Sequence, residues 1–128
     1  MENIIPKKVL FADDEASLRE LYDTRFKSEP FEAIFAKDGE EALEKIKKEK
    51  PDLILLDIMM PKKDGLEVLR EVKKDPSISD IPVFMLTVLE DNEIRDKAFD
   101  AGAKYYLVKS EVVPPEVIKL IRQELGIV

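Results

Sequence analysis

Five polar residues suited to phosphate chemistry follow apolar runs of this sequence, each at the point where its run ends. They are Asp13 and Asp14 after run 9–12, Asp57 after run 53–56, Thr87 after run 83–86 and Lys109 after run 105–108. Apolar runs of this length, bounded by polar residues, are typical of fully buried parallel strands. Because ligands bind outside the carboxyl ends of such strands, we expect three carboxylates, one hydroxyl and one ammonium to meet at one edge of a sheet.

The chemistry that this set favours is phosphoryl transfer assisted by Mg²⁺. Three neighbouring carboxylates repel one another unless a cation lies among them, and Mg²⁺ prefers oxygen ligands. Lys109 offers a positive charge and Thr87 a hydroxyl donor to phosphoryl oxygens, and a carboxylate can itself be the nucleophile that forms an acyl phosphate. Since phosphoryl transfer depends mainly on positioning and charge neutralisation, these groups suffice for it.

Taken one at a time, the same residues have purely structural explanations. An Asp after a strand is more often the N-cap of the next helix, and Asp14 followed by Glu15 fits that role. The pair Asp64-Gly65 alone indicates only a turn, and a single Thr or Lys at a strand end indicates little. It is their joint arrangement at one sheet edge that indicates a site.

Length and composition exclude several other kinds of site. Residues 1–128 fit one domain with one core, and the formal charge of -7 argues against direct nucleic-acid binding. There is no cysteine and no histidine, which excludes disulfides, thiolate nucleophiles, Ser-His-Asp triads and most zinc sites. Residues 1–8 lack the apolar stretch of a signal peptide, and no apolar run is long enough for membrane insertion. We therefore expect a soluble cytoplasmic protein.

Strand-like and helix-like segments alternate five times along the chain. Strands are predicted at 8–12, 31–36, 53–56, 82–86 and 105–108. Helices are predicted at 15–27, at 39–48, from Leu66 to about Asp75, at 90–101, and from Pro114-Pro115 to the C-terminal residues. In the fourth helix we expect Ile94, Ala98 and Phe99 to face inward, and Gly102 to adopt the left-handed conformation that ends it.

This alternation predicts an α/β fold, a doubly wound five-stranded parallel sheet with five helices on its two faces. The strongest apolar runs form the first, third and fourth strands, which we expect at the centre, and the more mixed second strand at an edge. Right-handed crossovers then give the flavodoxin-like strand order 2-1-3-4-5, whose chain reversal places Asp13, Asp14 and Asp57 together. No second domain is expected after the fifth helix.

Several motifs resemble those of the receiver domain of two-component response regulators, such as the single-domain chemotaxis regulator. They are residues 9–15 (VLFADDE), residues 52–61 (DLILLDIMMP) with Asp64-Gly65, residues 82–87 (PVFMLT), and residues 101–103 (AGA) leading to Lys109. The resemblance extends from Lys8 to Leu125. It implies a phosphorelay signalling protein that has no output domain and catalyses only its own phosphorylation and dephosphorylation.

The resemblance also implies how the acidic residues act. Asp57 would accept a phosphoryl group from a phosphohistidine on a histidine kinase or a histidine phosphotransfer protein. Asp14, Asp57 and the backbone carbonyl of Met59 would bind Mg²⁺, with Asp13 acting largely through water.

Further roles are implied for residues at the fourth and fifth strands. Thr87 and Lys109 would bind the phosphoryl oxygens after transfer, and Tyr106 occupies the position of the family's switch aromatic, although a half-buried strand tyrosine is the simpler explanation. The face formed by the fourth helix, fifth strand and fifth helix would then bind a downstream target, unless the protein relays the phosphate onward. Phosphorylation-linked homodimers are common in the family, and the sequence leaves this oligomeric state open.

Two residues depart from the family's usual pattern, and two more lie at positions that tune dephosphorylation in the family. Ser110 replaces the usual proline after a cis peptide. We predict that the Lys109–Ser110 bond is trans, or cis only with visible strain, because a cis bond before a non-proline residue costs about 2.5–4 kcal/mol. Val88 replaces a small residue and is expected to narrow access to Asp57. Met59 and Leu89 are apolar and cannot orient water, which favours a long-lived acyl phosphate unless they simply pack against neighbouring loops.

Three other functions remain open at this point. A receiver-like docking module that is never phosphorylated agrees with the departures at Ser110 and Val88. A Mg²⁺-dependent aspartyl-phosphate phosphatase would need an Asp-x-Asp pair after the first strand, whereas Asp13 and Asp14 are adjacent. A flavin or nucleotide binder would need a glycine-rich phosphate loop at the same place, and none is present.

Overall fold

The computed structural model describes residues 5–128, in which strands and helices alternate as predicted. The strands are β1 Lys7–Ala12, β2 Phe31–Ala36, β3 Leu53–Leu56, β4 Val83–Thr87 and β5 Tyr105–Val108. The helices are α1 Ala16–Phe26, α2 Gly39–Glu49, α3 Gly65–Lys74, α4 Asn92–Asp100 and α5 Pro114–Leu125. Strands β2, β3 and β5 have the predicted bounds, and the remaining elements differ from the predictions by a few residues at most.

The strand order explains why the acidic residues are neighbours. All five strands are parallel in the order β2-β1-β3-β4-β5, which confirms the predicted flavodoxin-like sheet. Ala12 at the end of β1 is paired with Ala36 of β2 and with Leu56 of β3. Because β1 and β3 end level with each other, the residues that follow them, Asp13 and Asp57, lie side by side at the chain reversal.

The two faces of the sheet carry different cores. The face covered by α2, α3 and α4 is aliphatic, and its fully buried strand residues include Leu10, Ile54, Leu56, Val83 and Met85. The face covered by α1 and α5 is aromatic, with the Phe11 ring centroid 4.7 Å from that of Tyr22 and the Phe26 centroid 5.1 Å from that of Phe31. Burial of each such side chain contributes roughly 1.5–3 kcal/mol, so the central strands form a firm support for the site.

Aspartate side chains fix the start of three helices. Asp38, Asp64 and Asp91 precede α2, α3 and α4, and each accepts a hydrogen bond at 2.8–2.9 Å from a backbone N–H of the first turn. The cap at Asp91 explains why α4 begins at Asn92 rather than at the predicted residue 90. Gly102 follows α4 with φ of 106°, as predicted. In the described part of the chain, no helix has the length and apolarity that crossing a bilayer requires.

Two predictions about the β5 edge of the sheet are wrong. Run 105–108 was expected to form a fully buried strand, but β5 pairs only with β4, and its residues are half-buried or exposed. Phe99 was expected to face inward, but it is 45% exposed, because Ala98 is the buried contact of α4 and the next residue is rotated by about 100° around the helix. This edge is therefore less densely covered than the sequence pattern indicates.

Candidate functional site

The ends of β1 and β3 place two of the predicted acidic residues in a buried position. The backbone N–H of Asp13 donates to Ala36 O at 3.0 Å, and that of Asp57 donates to Ala12 O at 3.0 Å, so both residues continue the hydrogen bonds of the sheet. Their exposed fractions are only 1% for Asp13 and 4% for Asp57. These carboxylates are therefore held by the sheet rather than by a mobile loop.

Asp14 completes a group of three carboxylates. One oxygen each of Asp13, Asp14 and Asp57 lies within 4.8 Å of the others, and Asp14 is the exposed member. The structural explanation of Asp14 as an N-cap is wrong, since Glu15 occupies the N-cap position of α1 without a side-chain cap hydrogen bond. It is Asp13 whose Oδ1 accepts the N–H of Glu15, at 2.9 Å. Asp14 is thus left facing the other two carboxylates.

Lys109 reaches both buried carboxylates from the end of β5. Its Nζ lies 2.7 Å from Asp13 Oδ2 and 3.0 Å from Asp57 Oδ2, and the angles make only the Asp57 contact a hydrogen bond. Burial lowers the pKa of the Lys109 ammonium, but contacts with Asp13 and Asp57 outweigh it and raise that pKa above the usual value. Lys109 therefore stays charged at neutral pH.

The replacement of proline by Ser110 does not displace Lys109. No cis peptide bond occurs among residues 5–128, so the Lys109–Ser110 bond is trans, as predicted. The N–H of Lys109 donates to Thr87 O at 2.7 Å, and Ser110 Oγ donates to Glu90 Oε1 at 3.3 Å. Both bonds join the β5–α5 connection to β4 and the segment after it.

Backbone groups fix the orientation of the Asp57 carboxylate. Its Oδ1 accepts the N–H of Ile58 at 2.7 Å and that of Met59 at 3.3 Å, while Oδ2 faces Lys109. Gly65 at the start of α3 lies so close that a Cβ there would be 2.1 Å from the backbone oxygen of Asp57. Asp57 is therefore oriented by the backbone at Oδ1 and by the Lys109 side chain at Oδ2.

Thr87 and Tyr106 are joined through the backbone of Leu89. Thr87 is completely buried, and its Oγ1 accepts the Leu89 N–H at 3.4 Å, a long hydrogen bond. The hydroxyl of Tyr106 donates to Leu89 O at 2.8 Å. Burial raises the pKa of the Tyr106 phenol, and the nearby Asp91 carboxylate raises it further.

Three apolar residues lie around the site. Met59 is 53% exposed, and Val88 is also exposed, so Val88 does not pack into the interior. Leu89 is half-buried and packs against the aliphatic core, in agreement with the simpler explanation that it contacts neighbouring loops. None of the three side chains carries a polar atom that could orient a water molecule.

The residues present fit a divalent cation. Three carboxylates and one ammonium leave a net charge of about -2, so the contacts of Lys109 with Asp13 and Asp57 do not compensate the whole group. Burial raises the pKa of the Asp13 carboxyl, although Lys109 and the N–H of Glu15 act in the opposite direction, and the Asp57 carboxylate adds to the rise. A divalent cation with oxygen ligands would compensate this charge, and the triad is of the kind that holds such a metal.

Two positioning contacts could not be predicted from the residue pattern. Arg19 Nη1 donates to Asp13 O at 2.8 Å, although an arginine on an amphipathic helix is usually expected to face solvent. Gly39 approaches the loop after β3, with its N–H donating to Pro61 O at 3.3 Å. Both contacts depend on how separate elements meet, and the spacing of residues along the chain does not specify that.

Comparison with known proteins agrees with this geometry. Residues 9–122 match the family described as response regulator receiver domain. A probable transcriptional regulator, ycf27, from Porphyridium aerugineum is 44% identical over 93% of this chain and 48% of its own length. The chain spans about half the length of the curated relatives it matches.

Solved structures match along nearly the whole chain. The phosphorylated cyanobacterial phytochrome response regulator RcpA is 32% identical, with a TM-score of 0.80 over 93% of each chain. The Mn²⁺-bound form of response regulator Rcp1 is 31% identical, with a TM-score of 0.79 over 92% of this chain and 91% of that one.

Proposed function

This chain belongs to the response regulator receiver domain family, and on that premise we propose that it accepts a phosphoryl group on Asp57. The donor would be a phosphohistidine on a histidine kinase or a histidine phosphotransfer protein, which agrees with the absence of histidine from this chain. Receiver domains work in two-component signalling and are generally not catalytic beyond their own phosphorylation. The phosphatase and flavin-binding alternatives find no support in this family membership.

The observation that carries the proposal is the environment of the Asp57 carboxylate. It is buried and fixed by two backbone N–H groups, and Lys109 and the other two carboxylates lie around it. Attack by an Asp57 oxygen forms the new O–P bond while the P–N bond of the donor breaks, and the histidine nitrogen leaves with the bonding pair. Such a transfer requires alignment and charge neutralisation more than acid–base chemistry.

The acidic residues would bind the metal, for which we propose Mg²⁺. Asp14, Asp57 and the Met59 carbonyl would bind it directly, and Asp13 largely through water. When bound, Mg²⁺ would neutralise charge on the phosphoryl oxygens and align them with Asp57. Lys109 would then exchange its contact with Asp57 Oδ2 for a phosphoryl oxygen.

Thr87 and Tyr106 would transmit the change to the surface. The Thr87 hydroxyl oxygen accepts the Leu89 N–H, and a phosphoryl oxygen would offer its O–H a charged acceptor. Hydrogen bonds to charged groups are shorter and stronger. Movement of Thr87 would disturb the Leu89 backbone that also accepts the Tyr106 hydroxyl. The face of α4, β5 and α5 would then bind a target protein, associate as a homodimer or support onward relay of the phosphate.

A docking module that is never phosphorylated is not favoured by a specific observation. That alternative rested on Ser110 and Val88, yet Lys109 contacts Asp57 at 3.0 Å despite Ser110, and Val88 lies exposed. We therefore propose phosphorylation as the function of the site.

The proposal is tested by incubation with acetyl phosphate and Mg²⁺, followed by mass spectrometry of the intact protein. We expect one phosphoryl group on the wild type and none on Asp57→Asn, which keeps the shape of the side chain. Asp52→Asn is the matched control, because Asp52 lies at the opposite end of β3, where its Oδ2 accepts the Lys8 N–H. Equal incorporation into wild type and Asp57→Asn, or none into either, would contradict the proposal.

A further inference from the structure

We propose that the first turn of α2 braces the loop after β3 and so sets the affinity of the site for its metal. The loop is residues 58–64, and Gly39 is the positioning residue of the brace. The inference rests on the proposed function, because Met59 in this loop is the proposed carbonyl ligand. Gly39 itself touches neither the carboxylates nor the phosphoryl group.

Gly39 is needed for close approach rather than for an unusual backbone conformation. Its φ is not positive, whereas Gly102 and Gly126 are the described glycines with positive φ. A Cβ at Gly39 would lie 1.9 Å from Lys63 O and 2.6 Å from Lys63 C. Since both are backbone atoms, no rotation of a side chain can relieve the overlap, and the loop itself would have to move.

Asp38 adds a charged contact to the same brace. Its side chain is buried, its Oδ1 caps α2 by accepting the Glu41 N–H, and its Oδ2 lies 3.7 Å from Lys62 Nζ. The hydrogen bond from Glu41 lowers the pKa of Asp38, so this carboxylate is charged at neutral pH. Asp38 and Gly39, at the start of α2, therefore contact three consecutive loop residues, Pro61, Lys62 and Lys63.

The loop has a conformation that requires such support. Lys62 has φ of 71°, a left-handed conformation that a residue with a Cβ adopts at a cost in free energy. The two ends of the loop are also joined, because the N–H of Gly65, the first residue of α3, donates to Ile58 O at 2.8 Å. Gly65 thus fixes the ends of the loop, Gly39 contacts its later residues, and Met59 is part of the same loop.

The test compares Gly39→Ala with Gly126→Ala, a glycine in open space whose positive φ makes alanine strained there. Each protein is titrated with Mg²⁺ alone, and amide hydrogen exchange of loop 58–64 is measured by mass spectrometry. We expect Gly39→Ala to weaken Mg²⁺ binding roughly 10- to 100-fold and to speed exchange in the loop, as changes to groups that support metal ligands do. Gly126→Ala should change neither, although it lowers the melting temperature.

A second pair of variants covers the case in which Gly39→Ala does not fold. Asp38→Ser keeps a helix cap but removes the carboxylate facing Lys62, and Asp91→Ser makes the same change at α4. We expect only Asp38→Ser to weaken Mg²⁺ binding and to speed exchange in loop 58–64. A merely structural role would instead lower the melting temperature of both variants and leave loop exchange and Mg²⁺ affinity unchanged.

Outcomes for the brace and for the proposed function can be distinguished. Unchanged Mg²⁺ affinity and unchanged loop exchange in both Gly39→Ala and Asp38→Ser would overturn the brace, even if Asp57 is phosphorylated. If wild type binds no Mg²⁺, the proposed metal site fails, and with it the proposed effect of the brace on affinity. If wild type binds Mg²⁺ but takes no phosphoryl group, the brace stands while the proposed function fails.

Discussion

The two halves of the site differ in how firmly they are held. The acceptor half consists of the ends of β1 and β3 with loop 58–64, where Asp13 and Asp57 continue the sheet hydrogen bonds and Gly65 packs against the Asp57 backbone. The reporter half consists of the ends of β4 and β5 with residues 88–91. There Thr87 accepts one hydrogen bond of 3.4 Å, and β5 is a partly exposed edge strand.

This difference is what a phosphorylation switch requires. Transfer depends on a carboxylate that is already aligned, because misplacement by an ångström costs a large factor in rate. Signalling depends on an element with two arrangements of similar free energy, and loosely packed elements supply these. Substitutions in the acceptor half, or of Lys109 and Thr87, which would bind the phosphoryl oxygens, should therefore impair chemistry. Substitutions elsewhere in the reporter half should spare chemistry and alter the response.

The largest effect is expected for Gly65→Ala in the acceptor half. The added Cβ would meet the Asp57 backbone oxygen at 2.1 Å, so the acceptor itself must move. We expect phosphorylation by acetyl phosphate to slow roughly 100-fold, and stability to fall by about 1–3 kcal/mol. Rates are measured by mass spectrometry beside Gly126→Ala, and equal rates for the two variants would show that the acceptor half tolerates displacement.

Lys109→Gln should make the stability of the protein depend more strongly on Mg²⁺. Removing one partner of a buried ion pair costs roughly 3–5 kcal/mol, because the other charges are left uncompensated. Without metal, we expect the variant to have a lower melting temperature than wild type. On adding Mg²⁺, its melting temperature should rise by more than that of wild type. Lys104→Gln removes an exposed ion pair with Glu124 and should not change the response to Mg²⁺. If Mg²⁺ raised the melting temperatures of Lys109→Gln and wild type equally, this would argue against charge compensation by Lys109.

Met59→Asn changes an exposed residue of loop 58–64 and tests the lifetime of the acyl phosphate. Wild type should keep its acyl phosphate for minutes or longer, since neither Met59 nor Leu89 can orient a water molecule. An amide at residue 59 can orient one, so we expect faster hydrolysis. The increase should be less than the roughly 100-fold that a positioned acid or base contributes, because an amide orients water without taking its proton. Met59→Leu is the control, and loss of the label is followed after removal of acetyl phosphate. Loss within seconds from the wild type would refute the long lifetime.

The smallest effect on chemistry is expected for Tyr106→Phe in the reporter half. This change removes the hydrogen bond to Leu89 O, worth about 0.5–1.5 kcal/mol, and leaves the carboxylates untouched. Phosphorylation should stay near the wild-type rate, whereas the phosphorylation-induced change in hydrogen exchange of β5 should shrink. A loss of phosphorylation as large as that of Gly65→Ala would mean that the two halves are not separable.

The sequence predicted the acceptor half better than the reporter half, for a physical reason. Fully buried strands leave a continuous apolar pattern, so β3 and the positions of Asp13 and Asp57 could be read directly. An edge strand such as β5 has the same apolar residue types but only one neighbouring strand. The periodicity of the sequence cannot show that a strand lies at an edge. Phe99 was misplaced likewise, because the small Ala98 makes the close contact of α4.

Contacts between separate elements lay beyond the sequence pattern. The residue pattern placed Gly39 at a helix start and Gly65 in a turn, but only the folded chain shows which backbone atoms they approach. The trans bond at Ser110 was predictable from the cost of a cis bond before a non-proline residue. That Lys109 still reaches both Asp13 and Asp57 was not, because it depends on where β5 places its last residues.

The unequal firmness of the two halves is tested most directly by residue-specific amide chemical shifts. Nuclear magnetic resonance spectra are recorded with Mg²⁺ alone and with Mg²⁺ plus beryllofluoride, a mimic of the phosphoryl group. We predict that shifts beyond the residues contacting the mimic concentrate at 88–91 and 104–111, while 9–12 and 53–56 stay unchanged. Shifts spread over β1 and β3 with none at β5 would contradict the account.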